Sequence, residues 1–268
     1  MTKPILLIRA NGNENDALAL AKLGLDSVSE PYLEISPVTG PGPAKRLLDE
    51  LEKADWLIAT SLSGVRFWAE LVGQTQLTAA FWKGVRRGLN FAAIGEATAN
   101  ALKSFGAQEV LVPDVAYGDA LARIVIAAHG ENSGHAEYSR PLAVIPSGNL
   151  AMETLQQELT DAHWAVHTEV LYVTAPVKEA PATAGRVISG EFAAVLLRAP
   201  SAAKAFAEFV DHNQIPVICG GNTTARKARE LGLNVVAVCS SPSSSAAAQT
   251  IFDYVTSESI ESLEVQEI

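Results

Sequence analysis

Short apolar runs alternate with helix-like segments along almost the whole chain. Residues 4–9 contain an apolar run that ends at Arg9, which is typical of a strand buried on both faces. A polar turn at 11–16 leads into a helix that Gly24 stops. Strands that alternate with helices in this way indicate parallel sheets covered by helices on both faces. The pattern therefore predicts an α/β fold.

The same criteria place the remaining elements. We expect strands at 31–35, 56–60, 90–94, 109–113, 142–146, 167–174, 193–198, 216–219 and 235–238. Helices are expected at 44–53, 63–72, 97–105, 121–128, 152–159 and 244–255, and also between the last three strands. Two segments rich in proline, 37–43 and 175–181, suit neither element and are predicted to be linkers. Residues 131–140 are expected to form a polar loop, and the acidic end, 257–268, is expected to be disordered.

One set of motifs occurs twice in the same order. The first copy is LIATSLSGVR at 57–66, IGEATA at 94–99 and FG at 105–106, and the second is LLRAPSAAK at 196–204, GGNTTA at 220–225 and LG at 231–232. An internal repeat of this length determines the architecture. It predicts two similar domains, each a flavodoxin-like parallel β-sheet flanked by helices. Two linkers would join them, and a cleft between them would hold a ligand.

Composition narrows the possible partners. The chain has 268 residues, 48% of them hydrophobic, so it can form two cores. Its formal net charge of −10 argues against a nucleic-acid partner, and an anionic ligand would need local positive potential. No apolar stretch approaches the roughly 20 residues of a membrane span, and no signal peptide is evident. Cys219 and Cys239 lie in or beside apolar runs and are expected to be buried thiols, which favours a cytoplasmic location.

Hydroxyl side chains follow several predicted strands at the points where helices begin. The carboxyl ends of parallel strands hold the ligand in open α/β sheets, and helix N-termini there favour anions. Serine and threonine at such positions are also ordinary N-caps, so that alternative stands beside the functional one. The candidate anion-binding residues are Thr60, Ser61, Ser63, Thr98, Ser147, Gly148, Ser201, Thr223 and Thr224.

Cations and other chemistry are sparse near these turns. Arg9 and Arg198 end predicted strands and are the arginines best placed to face the cleft, where each could bind a carboxylate in a two-pronged way. His163 and His167 could share a helical face, but a strand predicted from His167 argues against a metal site. No Gly-rich cofactor loop and no Ser-His-Asp arrangement is evident. We therefore expect neither metal nor cofactor.

The order and spacing of the motifs at 60–65, 94–99 and 221–225 resemble those of the uroporphyrinogen-III synthase family over residues 4–255. The resemblance implies a cofactor-independent lyase that converts hydroxymethylbilane into uroporphyrinogen III with loss of water and inversion of ring D. It also implies two chain crossings between domains. One domain would comprise 1–38 with 176–268, and the other 39–175.

The resemblance also implies roles for particular residues. Tyr172, beside the second linker, would be the catalytic acid, although tyrosine is also common in strands for structural reasons. Thr98 and Thr224 would donate hydrogen bonds to substrate carboxylates. Hydroxymethylbilane synthase would be a transient partner of a monomeric enzyme. Independently of the resemblance, the two proline-rich linkers are expected to form a hinge that opens and closes the cleft.

A different class of function stands as the alternative. Ala10, Ala199 and Gly221-Asn222 depart from the usual family pattern. A non-catalytic paralogue that binds a tetrapyrrole or another anion for regulation would tolerate such changes.

Overall fold

The computed structural model describes residues 3–132, 140–151, 153–210 and 215–264. The chain divides into two compact units, with boundaries between Ile35 and Ser36 and between Thr174 and Ala175. Unit 1 combines the two ends of the chain, and unit 2 is the middle segment. The boundaries expected from the sequence lie after residues 38 and 175.

The elements follow one another in the order expected of alternating strands and helices. They are β1 (Ile5–Leu7), α1 (Asn13–Ala21), β2 (Ser27–Ser29), β3 (Leu33–Pro37), α2 (Gly42–Leu51), β4 (Trp56–Ala59), α3 (Leu62–Val72), α4 (Gln74–Arg87), β5 (Asn90–Ala93), α5 (Glu96–Ser104), α6 (Gly118–Asn132), β6 (Leu142–Gly148), α7 (Thr154–Asp161), β7 (Ala165–Pro176), α8 (Ala182–Ile188), β8 (Ala194–Leu197), α9 (Pro200–Phe209), β9 (Val217–Cys219), α10 (Asn222–Glu230), β10 (Val235–Val238) and α11 (Ser244–Glu264).

Unit 1 contains a five-stranded sheet in the order β10-β9-β8-β1-β2, with parallel pairing throughout. In chain order within the unit this is the 2-1-3-4-5 arrangement of flavodoxin-like sheets. Successive side chains of β1 enter different cores. Leu6 joins a cluster with residues of α9 and α10, whereas Ile5 and Leu7 join a cluster with α1 and α11. Both faces of the sheet are therefore covered, which explains the uninterrupted apolar sequence of β1.

The second sheet has the order β3-β7-β6-β4-β5, with β4, β5 and β6 wholly inside unit 2, and its β4–β5, β4–β6 and β6–β7 pairs are parallel. This is the same arrangement as in unit 1, except that the outer place beside β7 is taken by β3, which precedes the other four strands in the chain. Leu57 and Ile58 of β4 enter different clusters, so this sheet is also covered on both faces. These features confirm the predicted α/β class with two similar parallel sheets.

Several predicted elements differ from those observed. Strand β2 and helices α4 and α8 were not predicted, and a predicted strand at 109–113 amounts to one isolated bridge between Leu111 and Ala92. Pro113 lacks the N–H that would extend that ladder. The predicted linkers are shorter than expected, because β3 runs to Pro37, α2 starts at Gly42 and β7 runs to Pro176.

The ends of two predicted segments fall partly outside the described residues. Helix α11 continues to Glu264 without an intervening proline or glycine, whereas disorder was expected from residue 257. Residues 265–268 lie outside the described residues. Residues 133–139 of the expected loop and Met152, the predicted first residue of α7, also lie outside them.

The two cysteines are free and buried, as predicted. Burial raises the pKa of Cys219 to about 12, so its thiol stays protonated at neutral pH.

Candidate active site

Tyr172 of β7 meets Ser61 at the start of α3. The two hydroxyl oxygens lie 3.0 Å apart in a hydrogen bond for which either can be the donor. Ser61 is the N-cap of α3, and its Oγ also accepts a hydrogen bond of 2.9 Å from the backbone N–H of Gly64. The Tyr172 hydroxyl is thus joined through one serine to the N-terminus of a helix.

A bulge in β7 sets the position of Tyr172. Ser147 of β6 is opposite Val170 but Gly148 is opposite Tyr172, so β7 has one extra residue at this point. Such bulges change the direction in which nearby side chains point. The side chain of Asn149 then holds the strand beyond it, since its Oδ1 accepts from the N–H of Thr174 at 2.8 Å and its Nδ2 donates to the carbonyl of Thr174 at 3.2 Å.

The ring of Tyr172 is packed on two sides. On one side it stacks on Phe67 of α3, with ring centroids 5.7 Å apart. On the other it lies against Gly148, where a Cβ atom would come within 2.4 Å of Tyr172 Cζ. Only glycine therefore leaves room for this ring position, and the tyrosine is restrained before any ligand arrives.

A pocket of about 320 Å³ opens beside this hydroxyl pair, entirely within unit 2. It lies at the carboxyl ends of β4 and β6, which is the point where the strand order of the sheet reverses and where open α/β sheets bind ligands. Its lining is Thr60, Ser61, Ile94, Ala116, Tyr117, Gly118, Ile145, Ser147, Leu150, Ala151, Thr154, Leu155, Gln156, Tyr172 and Thr174. The lining combines hydroxyl groups with aliphatic side chains and contains no charged residue.

The corresponding point of unit 1, between β1 and β8, is filled by an ion pair of the protein itself. Arg198 follows β8, and its guanidinium forms two hydrogen bonds with the carboxylate of Asp16 in α1. Ser244 donates to Asp16 at 2.6 Å. The side chains of Arg198 and Asp16 are only 9% and 1% exposed. Burial by itself raises the pKa of Asp16. The hydrogen bonds from Arg198 and Ser244 and the charges of Arg198 and Arg9 outweigh it, so the net pKa is lowered.

This ion pair gives Arg198 a partner within the protein, and its ligand role stays a prediction. The remaining guanidinium nitrogen donates to the carbonyls of Pro242 and Ser243, so each of the three nitrogens has a partner within the protein. The position of Arg198 at the end of a predicted strand favoured a ligand role. Its partner Asp16 is 182 residues away in sequence, so the sequence alone did not indicate the pair. Arg9 differs, since its side chain is 42% exposed and its nearest Asp16 oxygen is 3.9 Å away.

A family model described as uroporphyrinogen-III synthase HemD matches residues 15–249. The chain belongs to the uroporphyrinogen-III synthase family. The family consists of lyases that act without a cofactor on a small-molecule tetrapyrrole substrate. Nothing in the comparisons favours the non-catalytic alternative.

Solved structures of uroporphyrinogen III synthases share the fold. One is a synthase from Helicobacter pylori, with a TM-score of 0.60 and 16% identity over 94% of this chain and 100% of that one. Another is a mutant synthase from the extremely thermophilic bacterium Thermus thermophilus, with a TM-score of 0.56 and 17% identity over 95% of this chain and 99% of that one. At this identity the likeness concerns the fold.

Some of the predicted site residues of unit 2 line or shape the pocket of this synthase-family chain, and others do not. Thr60, Ser61, Ser147 and Tyr172 line the pocket, and Gly148 shapes it through its contact with Tyr172. Ser63, in the first turn of α3, and Thr98, buried in the first turn of α5, are not among the lining residues.

The predicted residues of unit 1 lie in first turns of helices. Ser201 is in α9, and Thr223 and Thr224 are in α10. The N-caps of these helices, Ala199 and Gly221, provide no side-chain acceptor, so their first backbone N–H groups are not capped by side chains. Thr224 is buried, whereas Thr223 is exposed.

Sequence reasoning missed several residues of the pocket in unit 2. Tyr117 is 51% exposed and lies just before α6, while Leu150 and Gln156 come from the segment after β6. The rule that ligands bind at strand ends could have indicated Leu150. Tyr117 does not directly follow a strand, so only its packing brings it to the pocket.

Among the residues that the structure describes, no three His, Cys, Asp or Glu side chains are grouped so that they could hold a metal ion. Over the same part of the chain, no helix is both long and apolar enough to cross a bilayer.

Proposed function

We propose that this chain cyclises hydroxymethylbilane to uroporphyrinogen III, with Tyr172 as the acid that starts the reaction. The observation that carries this role is that Tyr172 lines the pocket in unit 2 of a uroporphyrinogen-III synthase-family chain, with its hydroxyl hydrogen-bonded to Ser61 of the same lining. Tyr172 donates its proton to the hydroxyl of the substrate's terminal hydroxymethyl group. The C–O bond breaks, water leaves, and the pyrrole that remains carries a delocalised positive charge.

The remaining steps need positioning more than further acids or bases. The substituted α-carbon of ring D attacks the cationic carbon and gives a spiro intermediate, whose rearrangement inverts that ring. A proton is lost at ring closure, so the overall change is loss of one water. Because spontaneous closure gives the uninverted isomer, the enzyme must hold the chain in a conformation that favours attack by the substituted carbon.

The pocket is suited to one end of the substrate. Its volume of about 320 Å³ is at the low end of the roughly 300–1,000 Å³ of small-molecule sites, so it holds part of a tetrapyrrole rather than the whole. Thr60 and Ser147 would donate hydrogen bonds to substrate carboxylates. Their hydroxyl groups are neutral, so they add no positive charge that would repel the cationic intermediate. Arg9 would bind a further carboxylate, and Ser63, Thr98, Ser201, Thr223 and Thr224 would contribute from helix first turns.

We also propose that the enzyme is a cytoplasmic monomer that receives its substrate by transient contact with hydroxymethylbilane synthase. The spontaneous closure of hydroxymethylbilane makes rapid transfer advantageous. Light scattering of the purified chain tests the monomer, and cell fractionation tests the location. In an assay that couples this protein to hydroxymethylbilane synthase, formation of the type III isomer faster than free diffusion of the substrate allows would support the contact.

The direct test is incubation of the purified protein with freshly generated hydroxymethylbilane. We expect the type III isomer to form faster than the type I isomer does without protein, as measured by chromatographic separation of the oxidised products. Formation of the type I isomer alone, at the uncatalysed rate, would overturn the proposed function.

A further inference from the structure

We infer that Ser61 is a positioning residue that donates a hydrogen bond to the Tyr172 hydroxyl and so prepares it to release its proton. This inference rests on the proposed function, in which Tyr172 is the acid. It gives Ser61 a different task from the carboxylate binding expected from its place at a strand end.

The hydrogen-bonding capacity of Ser61 determines the direction of this bond. A serine hydroxyl has one hydrogen to donate and two lone pairs that accept. The N–H of Gly64 uses one lone pair at 2.9 Å. Capping of α3 requires only that acceptor, so the hydrogen of Ser61 is free for another partner. The Tyr172 oxygen, at 3.0 Å, is the partner that the structure provides.

The chemistry of Tyr172 leads to the same direction. A tyrosine that transfers its proton to the substrate must point its O–H into the pocket, away from Ser61. The bond between the two hydroxyls then has Ser61 as donor and the Tyr172 oxygen as acceptor. When the proton leaves, negative charge develops on that oxygen, and the Ser61 hydrogen is already directed at it.

The N-terminus of α3 strengthens this arrangement. Helix N-termini carry a partial positive charge, which stabilises nearby anions. The path from the Gly64 N–H through the Ser61 hydroxyl to the Tyr172 oxygen is a chain of two hydrogen bonds, and each bond polarises the next. Phe67 and Gly148 hold the ring so that the contact is present without substrate.

A double-mutant cycle tests whether Ser61 acts through Tyr172. We expect Ser61→Ala to lower kcat about tenfold with little change in KM. Ser61→Thr should have a kcat close to that of the wild type, because threonine keeps the hydroxyl. In a Tyr172→Phe background, Ser61→Ala should change kcat by less than about twofold, since its partner is already gone. Independent losses that multiply in the double variant would overturn the inference.

A matched control separates capping from catalysis. Ser243 precedes α11, and its Oγ accepts from the N–H of Ala246 at 3.1 Å, in the same geometry but with no tyrosine partner. Ser243→Ala should leave kcat unchanged; an equal loss of kcat in that variant would count against the inference. If Ser61→Ala does not fold, Ser61→Gly replaces it, because glycine costs little at an N-cap and also lacks the hydroxyl.

A spectroscopic measurement does not depend on activity. The ultraviolet resonance Raman doublet of tyrosine distinguishes an accepting hydroxyl from a donating one, and subtraction of the Tyr172→Phe spectrum isolates Tyr172. We expect an accepting hydroxyl in the wild type that loses this character in Ser61→Ala. A purely donating hydroxyl in the wild type would overturn the inference, even in a protein with full synthase activity.

Discussion

Gly148 lies so close to the ring of Tyr172 that a Cβ atom there would be 2.4 Å from Cζ and 2.8 Å from the hydroxyl oxygen. Gly148 is opposite Tyr172 at the bulge between β6 and β7. The absence of a side chain at one position therefore defines where the proposed acid lies on the neighbouring strand.

The first prediction is that Gly148→Ala lowers kcat by about tenfold or more. The methyl group would displace the Tyr172 ring and break its hydrogen bond with Ser61, and acid catalysis depends on that placement. Steady-state kinetics with circular dichroism measures the effect on a folded protein. Gly185→Ala is the matched control, because a Cβ there meets nothing within 4 Å, and its kcat should equal that of the wild type. Normal activity of Gly148→Ala would show that the ring position does not matter.

The second prediction is that Tyr172→Phe lowers kcat by about one to two orders of magnitude while the fold is retained. General acid catalysis contributes about 10²–10⁴-fold, and a substrate that closes spontaneously depends on it less than most. Phenylalanine keeps the stacking contact with Phe67 and removes only the hydroxyl. Product that still forms should be assayed for the ratio of isomers. Activity within twofold of the wild type would remove Tyr172 from the mechanism.

The third prediction concerns stability rather than chemistry. Arg198→Gln should lower the free energy of unfolding by about 3–5 kcal/mol, because it leaves the buried carboxylate of Asp16 without its cation. Urea denaturation measures the change. Arg123→Gln is the control, because Arg123 forms an exposed ion pair with Asp119 and such pairs contribute about 0–1 kcal/mol. A folded, stable Arg198→Gln protein with a raised KM would instead support the ligand role predicted from the sequence.

The fourth prediction is a dependence of stability on pH that Asp16 causes. The folded-state pKa of Asp16 is lowered, so its contribution is present above the unfolded value of about 3.9 and is lost as pH falls through the folded value. We therefore expect the wild type to be more stable than Asp16→Asn at pH 7, and the difference to shrink below about pH 4. Denaturation curves of both proteins across this range measure it. A difference independent of pH would mean that Asp16 does not titrate in this way.

Local patterns in the sequence determined the type of fold. The apolar runs at β1, β4 and β8 are continuous because both faces of each sheet are covered, and this signal can be recognised without knowledge of any neighbour. The repeated motifs likewise indicated two similar sheets. Short elements such as β2, with three residues, have too few positions to show a period.

The candidate site was predictable only in part, because some of its features depend on residues that are distant in the sequence. Thr60 and Ser61 follow β4 directly, so the rule for strand ends located them. That rule could not distinguish the arginine that remains open, Arg9, from Arg198, because the choice depends on Asp16 from a distant part of the chain.

Only the tertiary structure decided which side chains meet. One extra residue in β7 brings Tyr172 opposite Gly148, and the packing of α6 brings Tyr117 to the same pocket. The sequence by itself determined the alternation of strands and helices, the repeat and the hydroxyl groups at strand ends, because these depend on neighbours along the chain. The bulge, the buried ion pair of Asp16 and Arg198, and the contact between Ser61 and Tyr172 depend on strand register and on packing between residues far apart in the sequence.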